Sequence, residues 1–363
     1  MRLLIAHNYY LQPGGEDQAY RHEINLLRSQ GNDVYEFHVH NTQIAEISKL
    51  KLALNTIWSA ETYRKIQKII TNFKPDLAHF HNTFPLISPS AYDACHTFNI
   101  PVVQTLHNYR LLCPSALLFR KHQPCLECLN KLFALPGIRY RCYHHSAMAT
   151  AGVAMMQFIH HLRSTWMRRI DQYVVLTEFA RRLFIEAGLP ADKMIVKPNF
   201  ALPASERTGN GTKHMLYVGR FSPEKGILLL IEMAKKRRGD TLVLIGDGPE
   251  KDHVSRMIKA NNLNQVFLMG QQPRNKVLVA YQDARALIVP SLCYEVFGLV
   301  LAEAFSVGVP VIASRLGAMA EIVEDGKTGL LFTPGDAEDL AAKVEWAWNH
   351  PAEMAEMGKA ARR

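Results

Sequence analysis

The chain has 363 residues, which is long enough for two domains of ordinary size. With 48% apolar and 21% charged residues, it matches soluble globular proteins, and disorder over most of its length is excluded. The net charge of +9 is uneven, because residues 1–200 carry 22 basic and 14 acidic side chains, whereas residues 201–363 carry 20 and 19. The first half is therefore expected to attract an anionic partner, unless its basic face is simply solvated.

The N-terminus begins with a short apolar stretch that meets polar residues at once. It lacks a small-residue cleavage site, so it predicts a first strand rather than a signal peptide, and a protein kept in the cytoplasm. No apolar run reaches the ~18–20 residues that cross a bilayer. The six cysteines are then expected to be reduced thiols or metal ligands rather than a disulfide framework.

Strands alternate with helices along both halves. In the first half, we predict strands at 2–10, 34–40, 76–82 and 101–108, and helices at 14–31, 44–73 and 88–99. In the second half, we predict strands at 214–221, 240–248, 266–270, 286–291, 310–314 and 329–332, and helices at about 225–238, 249–262, 273–283, 298–307, 317–324 and 336–349. Long helical crossovers indicate parallel sheets, which bind ligands at the carboxyl ends of their strands. The Gly-, Ser-, Thr- and Pro-rich segment 201–214 is the predicted hinge.

The densest motif is SLCYEVFGLVLAEAFSVGVPVIAS, residues 291–314. Glu295 lies on a loop after a buried strand, and Glu303 lies in the second turn of a helix that begins near Gly298. Unpaired backbone N–H groups at such a helix start bind anions. Two carboxylates eight residues apart can accept hydrogen bonds from a sugar and from a ribose. The alternative is that both are ordinary surface acids, which the apolar neighbours of Glu303 disfavour.

A second motif is YVGRFSPEKG, residues 217–226, where a predicted strand ends at Gly219. Arg220 and Lys225 follow in the loop. Two cations five residues apart can neutralise a diphosphate, one through a forked pair of hydrogen bonds and the other as a point charge. By itself this pattern is weak, because Arg and Lys are common on surface loops.

In the first half, Pro13–Gly15 follows the first strand, and Gly14 and Gly15 allow a phosphate or sugar to approach the backbone closely. A plain turn is the alternative. His107 ends the strand VVQTLHN, where its imidazole can bind a substrate hydroxyl or stabilise charge. The alternative is a purely structural histidine.

The order of the motifs along the chain resembles that of the retaining glycosyltransferases of family 4. It consists of the glycine pair, the histidine after the fourth predicted strand, the Arg-x4-Lys motif and the Glu-x7-Glu motif. The run GAMAEIVEDGKTGLLFTPGDAEDLA at 317–341 extends the resemblance over nearly the whole chain. Segments within residues 107–147 are further similar to a bacterial subset that acts on O-antigen, capsule or exopolysaccharide chains.

The resemblance implies the GT-B fold, an α/β architecture of two Rossmann-like domains with parallel sheets facing across a cleft. An acceptor-binding domain would span 1–200 and a nucleotide-sugar-binding domain 201–363. In this family, the positions of Glu303 and Glu295 bind the ribose hydroxyls and the 3- and 4-hydroxyls of the donor sugar. The positions of Arg220 and Lys225 stabilise the departing diphosphate.

The resemblance also implies roles for the remaining positions. His107 would contact the sugar near its 6-hydroxyl and is counted as catalytic with Arg220, Lys225 and Glu295. The other expected nucleotide-sugar contacts are Gly14, Gly15, Asn199, Gly219, Val296, Phe297, Gly298, Leu299 and Glu303.

The implied reaction is a hexosyltransferase reaction with retained configuration. A hexose or N-acetylhexosamine would pass from a UDP-sugar, or a GDP-sugar, to a polyprenyl-diphosphate-linked saccharide. Metal-dependent transferases hold the diphosphate through Asp-x-Asp, and this sequence has no such triplet, so no cofactor is expected for catalysis. The alternatives are a GT-B sugar epimerase and a basic nucleic-acid-binding protein. The second is suggested only by a pI of about 9.2, without a nucleic-acid motif, so nucleic acid is not expected as a partner.

Two further features of the first half remain. Cys113, Cys125, Cys128 and Cys142 have spacings that fit a structural zinc site, or they are reduced thiols in an acceptor loop. The basic amphipathic segments 49–74 and 155–169 can lie on an anionic membrane surface, or they pack into the core. The first reading predicts peripheral association with the inner face of the cell membrane.

Overall fold

The computed structural model describes residues 1–12, 14–202, 204–205 and 213–363. Pro13, and most of the predicted hinge (Pro203 and 206–212), lie outside the described residues. The chain divides into two compact units, the first formed by Met1–Leu118 with Cys125–Pro198 and the second by Phe119–Pro124 with Asn199–Arg363. Each unit is built around one sheet.

The described strands, in chain order, are β1 Arg2–Tyr9, β2 Asp33–His40, β3 Leu77–Phe80, β4 Val102–Thr105, β5 Phe119–Arg120, β6 Gln123–Pro124, β7 Gln172–Val175, β8 Met194–Val196, β9 His214–Val218, β10 Leu242–Ile245, β11 Val266–Gly270, β12 Ala284–Val289, β13 Val311–Ser314 and β14 Gly329–Phe332.

The α-helices of the same residues are α1 Gly15–Ser29, α2 Lys49–Ile57, α3 Ala60–Phe73, α4 Ser90–Thr97, α5 Leu135–Arg139, α6 Ala147–Leu162, α7 Thr165–Arg168, α8 Glu178–Glu186, α9 Ile227–Lys236, α10 Lys251–Ala260, α11 Arg274–Asp283, α12 Leu299–Val307, α13 Ala318–Ile322, α14 Ala337–Asn349 and α15 Pro351–Arg362. Within the described ranges, no helix combines the length and the apolar character needed to span a bilayer.

The main sheet of each unit is six-stranded and parallel throughout. Strands β5 and β6 pair separately as a two-stranded antiparallel sheet. The first unit has the order β2-β1-β3-β4-β7-β8, and the second has the order β11-β10-β9-β12-β13-β14. The central strands are mostly apolar because helices cover both faces of such a sheet, as in β12, where all six residues, including Arg285, are buried. The predicted α/β class with two Rossmann-like parallel sheets is confirmed. In each unit, the carboxyl ends of the central strands meet at one edge, where binding residues collect.

The single helix predicted over 44–73 is wrong. The structure has a 3₁₀ helix at Asn41–Glu46, followed by α2 and α3, which are separated at Trp58 and Ser59. Ser59 interrupts the helix because its hydroxyl oxygen caps α3 by accepting a hydrogen bond from the N–H of Thr62, at 3.2 Å. The Trp58 indole donates to Asp93 at 2.9 Å, which anchors the break.

Candidate functional site

The loop that follows β9 packs directly against the end of β12. Gly226 lies in this loop at φ +70°, and a Cβ there would sit 1.9 Å from the carbonyl oxygen of Pro290. Only glycine tolerates both the left-handed backbone and this contact. The N–H of Leu292 donates to the carbonyl oxygen of Glu224 at 2.9 Å, which joins the two loops a second time. The two predicted motifs therefore form one continuous surface at the carboxyl edge of the second sheet.

Lys225 and Glu295 form an ion pair at this junction. Lys225 Nζ lies 2.6 Å from Glu295 Oε1, and the side chains are 32% and 13% exposed. The hydroxyl of Ser291 donates to the same carboxylate oxygen at 2.7 Å. The catalytic cation and the sugar-binding carboxylate that the sequence predicts are thus brought into direct contact. Ser291 was not among the predicted site residues, although it stands in the quoted motif.

Lys225 and Glu295 each keep the other in its charged form. Burial opposes the charge on Lys225, but the carboxylate of Glu295 outweighs it and raises the pKa of the lysine above its usual value. Burial likewise favours the neutral form of Glu295, but the lysine charge and the hydrogen bonds from Lys225 and Ser291 hold its pKa below the usual range. Both groups are therefore charged at neutral pH.

Glu303 lies on α12, eight residues after Glu295. The helix begins after Gly298, which has a left-handed φ of +88°. Glu303 is half-buried, and the Tyr281 hydroxyl lies 3.5 Å from its Oε2. It is therefore not the exposed surface acid of the alternative interpretation. Val296, Phe297 and Leu299 are buried around the turn, and the first backbone N–H groups of α12 are those that an anion would use.

Arg220 lies in the same loop as Lys225 and is exposed. The Tyr217 hydroxyl donates to its carbonyl oxygen at 2.7 Å, which fixes the backbone of the loop. Gly219 directly precedes it, and its N–H donates to the carbonyl oxygen of Ile245 on β10 at 3.0 Å. The guanidinium is thus a solvent-facing cation on a firmly held main chain.

In the first unit, Gly14 and Gly15 stand at the start of α1, as predicted. Gly14 is exposed, and a Cβ added to it would meet nothing within 4 Å, so packing does not require glycine there. Its N–H donates to one carboxylate oxygen of Asp17 at 3.1 Å. The other oxygen of Asp17 lies 2.7 Å from His7 Nε2 on β1. Asp17 therefore ties the glycine turn to the first strand.

His107 lies just beyond β4 and is half-buried. It lines a cavity of about 50 Å³ together with His81, Thr83, Tyr92, Gln104 and Arg110, among others. Burial, reinforced by the charges of His7, His79 and Lys197, lowers the pKa of His107 to about 3. The imidazole is therefore neutral at physiological pH. Of the two roles expected from the sequence, hydrogen bonding to a hydroxyl fits this state, and stabilisation of negative charge by an imidazolium does not.

A buried carboxyl group next to the glycine turn was missed by sequence reasoning. Glu16, in the first turn of α1, accepts hydrogen bonds from the Tyr10 hydroxyl at 2.9 Å and from the Asn108 amide at 3.2 Å. Burial raises the pKa of Glu16 to about 7, although both hydrogen bonds act in the opposite direction. These residues follow β1 and β4, so the order of the strands brings them together. The sequence gives no periodicity that links them.

Histidines of adjacent strands form a second missed group. His81 Nδ1 lies 2.9 Å from His107 Nε2, and His79 Nε2 lies 2.8 Å from the Thr105 hydroxyl. Burial lowers the pKa of both His79 and His81. The His-x-His spacing at 79–81 was a usable signal, because alternate residues of a strand share a face.

Asn199 and the four cysteines are the remaining predicted positions. Asn199 is half-buried after β8. Burial, with added effects from Cys113, Cys142 and Cys125, raises the pKa of the Cys128 thiol to about 11. Across the described ranges, the group with three metal-ligand atoms within 4.8 Å of one another is Glu23, His79 and His81, and it contains no cysteine.

Comparison with known proteins gives two family matches. Residues 16–201, just over half of the chain, match the model described as "Glycosyltransferase Family 4". Residues 200–363 match "Glycosyl transferases group 1". Together the two matches cover residues 16–363.

The chain is also similar to individual proteins and to solved structures. Glycogen synthase of Mycobacterium tuberculosis is 34% identical over 164 residues, 44% of this chain, and the match spans 39% of that enzyme's length. Sulfoquinovosyl transferase SQD2 of Arabidopsis thaliana is 24% identical over 99% of this chain and 69% of its own length. The crystal structure of Anabaena Alr3699/HepE in complex with UDP-glucose superposes with a TM-score of 0.68 at 20% identity, covering 100% of this chain and 93% of that one.

Proposed function

Because this chain belongs to glycosyltransferase family 4 and has the GT-B fold, we propose that it is a retaining hexosyltransferase that uses a UDP-sugar. The observation that carries the proposal is the Lys225–Glu295 pair, set beside the start of α12 at the carboxyl edge of the second sheet. A cation, a carboxylate and the backbone N–H groups at a helix N-terminus together suit an activated sugar, in which an anionic diphosphate adjoins a ring of hydroxyls.

In this proposal, the leaving group is held by positive charge. Arg220 and Lys225 neutralise the diphosphate, and the backbone N–H groups of 296–299 donate hydrogen bonds to it. The glycosidic C–O bond breaks as negative charge develops on the phosphate oxygen, so fixed donors lower the barrier at the moment when they are needed. Lys225 is already oriented by Glu295 at 2.6 Å, so little reorganisation is required.

The two glutamates orient the donor. Glu295 accepts from the 3- and 4-hydroxyls of the sugar through its oxygen atoms, one of which is engaged by Lys225 and Ser291. Glu303 accepts from the ribose hydroxyls. Neutral His107 binds a sugar hydroxyl, and Gly14 and Gly15 allow close approach of the donor.

The acceptor hydroxyl attacks the anomeric carbon from the face that the diphosphate leaves. The new C–O bond forms as the old one breaks, and the hydroxyl proton passes to the departing phosphate oxygen, so configuration is retained. No protein nucleophile and no metal ion is needed for this step, because the two cations perform the electrostatic work of a divalent ion.

The donor is tested first by binding. Purified protein is heated with UDP, GDP, ADP or TDP, and a ligand that binds the folded state raises the Tm. We expect the largest shift with UDP, as the UDP-glucose complex of HepE favours. UDP-sugars are then assayed for transfer. A shift with GDP alone would reject UDP as the donor nucleotide, and no shift with any of the four would reject nucleotide-sugar transfer by this chain.

The acceptor is proposed to be a polyprenyl-diphosphate-linked saccharide at an anionic membrane, in the synthesis of a surface polysaccharide. Leu50 and Leu54 are exposed four residues apart on α2, with Lys49 and Lys51 beside them and no acidic residue in the helix. The neighbouring α6 exposes Met148, Met155 and Leu162 at seven-residue intervals. Exposed apolar residues on adjacent helices, with lysines on α2, suit the interface of an anionic bilayer.

Vesicle flotation tests this surface. We expect the protein to float with vesicles that contain an anionic phospholipid and not with neutral vesicles. The double variant Leu50→Glu/Leu54→Glu should lose flotation while keeping its binding of UDP. Phe267→Glu, which changes an exposed apolar side chain of the second unit, is the matched control. Flotation of the double variant equal to that of the control would reject the surface.

We also propose that Cys113, Cys125, Cys128 and Cys142 hold a structural zinc ion. The Cys-x2-Cys spacing at 125–128 with two flanking cysteines supports this proposal, because thiolates are preferred ligands of structural zinc. Loss of bound zinc in the Cys125→Ser/Cys128→Ser variant tests this site. Unchanged zinc content would reject it.

A further inference from the structure

Two buried histidines and one partly buried glutamate of the first unit have no part in the proposed transfer reaction. His79 lies in β3 and His81 directly follows the strand, so both imidazoles are on one face of the sheet. Glu23, on α1, lies opposite them. His79 Nδ1 is 3.7 Å from Glu23 Oε1, and His81 Nε2 is 4.0 Å from Glu23 Oε2. All three ligand atoms lie within 4.8 Å of one another.

We propose that Glu23, His79 and His81 bind a divalent transition-metal ion, with Zn²⁺ as the preferred ion. Two imidazoles and one carboxylate are an established zinc donor set, and imidazole also suits Co²⁺ and Ni²⁺. Bonds of about 2.0–2.2 Å in tetrahedral geometry place neighbouring donor atoms roughly 3.3–3.6 Å apart. The distances of 3.7 and 4.0 Å to Glu23 therefore need to shorten by roughly 0.1–0.7 Å, which rotation of a glutamate side chain can supply.

The imidazoles are already oriented as metal ligands are. His79 uses Nε2 for the Thr105 hydroxyl, and His81 uses Nδ1 for His107, which leaves the other ring nitrogen of each towards Glu23. Ligating histidines characteristically bond a second partner through the non-ligating nitrogen. His81 is only 2% exposed, and within the described chain its Nε2 atom has no hydrogen-bond partner. A buried unpaired ring nitrogen is costly, and an ion would satisfy it.

The ammonium group of Lys197 would compete with the ion for the Glu23 carboxylate. Its Nζ lies 3.2 Å from Glu23 Oε1, and its side chain is 46% exposed. The ammonium group neutralises Glu23 when no ion is bound, and it can turn towards solvent when an ion takes its place. The ion would therefore join α1 to β3 through three protein ligands, with the fourth tetrahedral position left for a water molecule, and competition from Lys197 would lower the affinity of the site.

Metal binding is tested on the full chain after removal of metal with a chelator. The Cys125→Ser/Cys128→Ser background is used so that the proposed cysteine site, which then keeps only two of its four thiols, does not retain zinc. Zn²⁺ is titrated and the retained metal is measured by elemental analysis, and Co²⁺ is used as a spectroscopic probe. We expect one Zn²⁺ per chain, and visible Co²⁺ bands without sulfur-to-metal charge transfer, since all ligands are nitrogen and oxygen.

Variants decide which residues hold the ion. Glu23→Gln should weaken Zn²⁺ binding by at least about 100-fold, because it removes a ligand rather than an outer partner. Lys197→Met should tighten binding. His160→Gln is the control, because His160 is another buried imidazole, which bonds Thr165 and the carbonyl oxygen of Ile57, and it should bind as the background does. Equal Zn²⁺ affinity in folded Glu23→Gln and His160→Gln would overturn the proposal, as would a background protein that retains no Zn²⁺.

Discussion

Replacing Lys225 by methionine tests the proposed chemistry most directly. Methionine keeps a long, unbranched side chain and removes only the charge. The lysine Nζ lies 2.6 Å from Glu295 Oε1 in a pair that is mostly shielded from solvent. If this cation stabilises the departing diphosphate, its loss should lower kcat about 10²–10³-fold, which corresponds to roughly 3–4 kcal/mol of transition-state stabilisation.

The same substitution should change the pH dependence of the remaining activity. In the native protein, burial favours neutral Glu295, and Lys225 outweighs it and holds the pKa of the carboxyl below its usual range. Without Lys225, burial acts almost alone, and the pKa of Glu295 should rise above the usual value. The residual transfer rate of Lys225→Met should therefore increase between pH 5 and pH 8 more steeply than the native rate does.

The assay measures the rate of sugar transfer at several pH values, with the nucleotide sugar selected by the thermal screen as the donor. Losing one partner of the pair should also lower the free energy of unfolding by roughly 1–3 kcal/mol, so folding is checked by circular dichroism and Tm. Lys213→Met is the matched control, because Lys213 forms an exposed ion pair with Asp283 at 3.0 Å in the same unit. A folded Lys225→Met protein with a near-native kcat would refute the role given to this residue.

Three further outcomes are expected. Burial raises the pKa of Glu16 to about 7 in the folded state, against an ordinary value of 4.5. Between these pH values the folded state keeps a proton that the unfolded state releases, so the free energy of unfolding should fall by up to about 3 kcal/mol as the pH rises from 4.5 to 7. Glu16→Gln should remove that fall in urea titrations, and an unchanged pH profile would contradict it. Gly226→Ala should lower both Tm and transfer rate, since its Cβ would collide with Pro290, whereas Gly326→Ala, at a similar φ of +77° with nothing within 4 Å, should show only the backbone strain. Mg²⁺ or Mn²⁺ added after chelation should leave the transfer rate unchanged, and strict dependence on either ion would argue for metal-assisted departure of the diphosphate.

Local patterns predicted most of the second unit. Each of its strands is a short, mostly apolar run, and the structure has a strand that overlaps each predicted range, although β12 begins two residues before the predicted 286–291. The Arg-x4-Lys and Glu-x7-Glu motifs could be placed at strand ends because parallel strands of an α/β sheet all expose their carboxyl ends at one edge.

The first unit was harder to predict for a physical reason. The predicted elements ended at 108, whereas α6, β7, α8 and β8 follow in the structure. β8 has only three residues, too few for a periodicity to be recognised. The break between α2 and α3 was hidden because an amphipathic pattern continues across it, and a single capping serine decides where one helix ends and the next begins.

The sequence by itself determined the two parallel sheets, the residues at their functional edges and the family, because these depend on composition and spacing along the chain. Tertiary structure alone decided that Lys225 contacts Glu295 across 70 residues. It also decided that Glu16 is buried against Tyr10 and Asn108, and that Glu23 faces His79 and His81. Strand order and helix packing set those distances, and the charge and pKa of each group follow from its neighbours in space rather than from its neighbours in the chain.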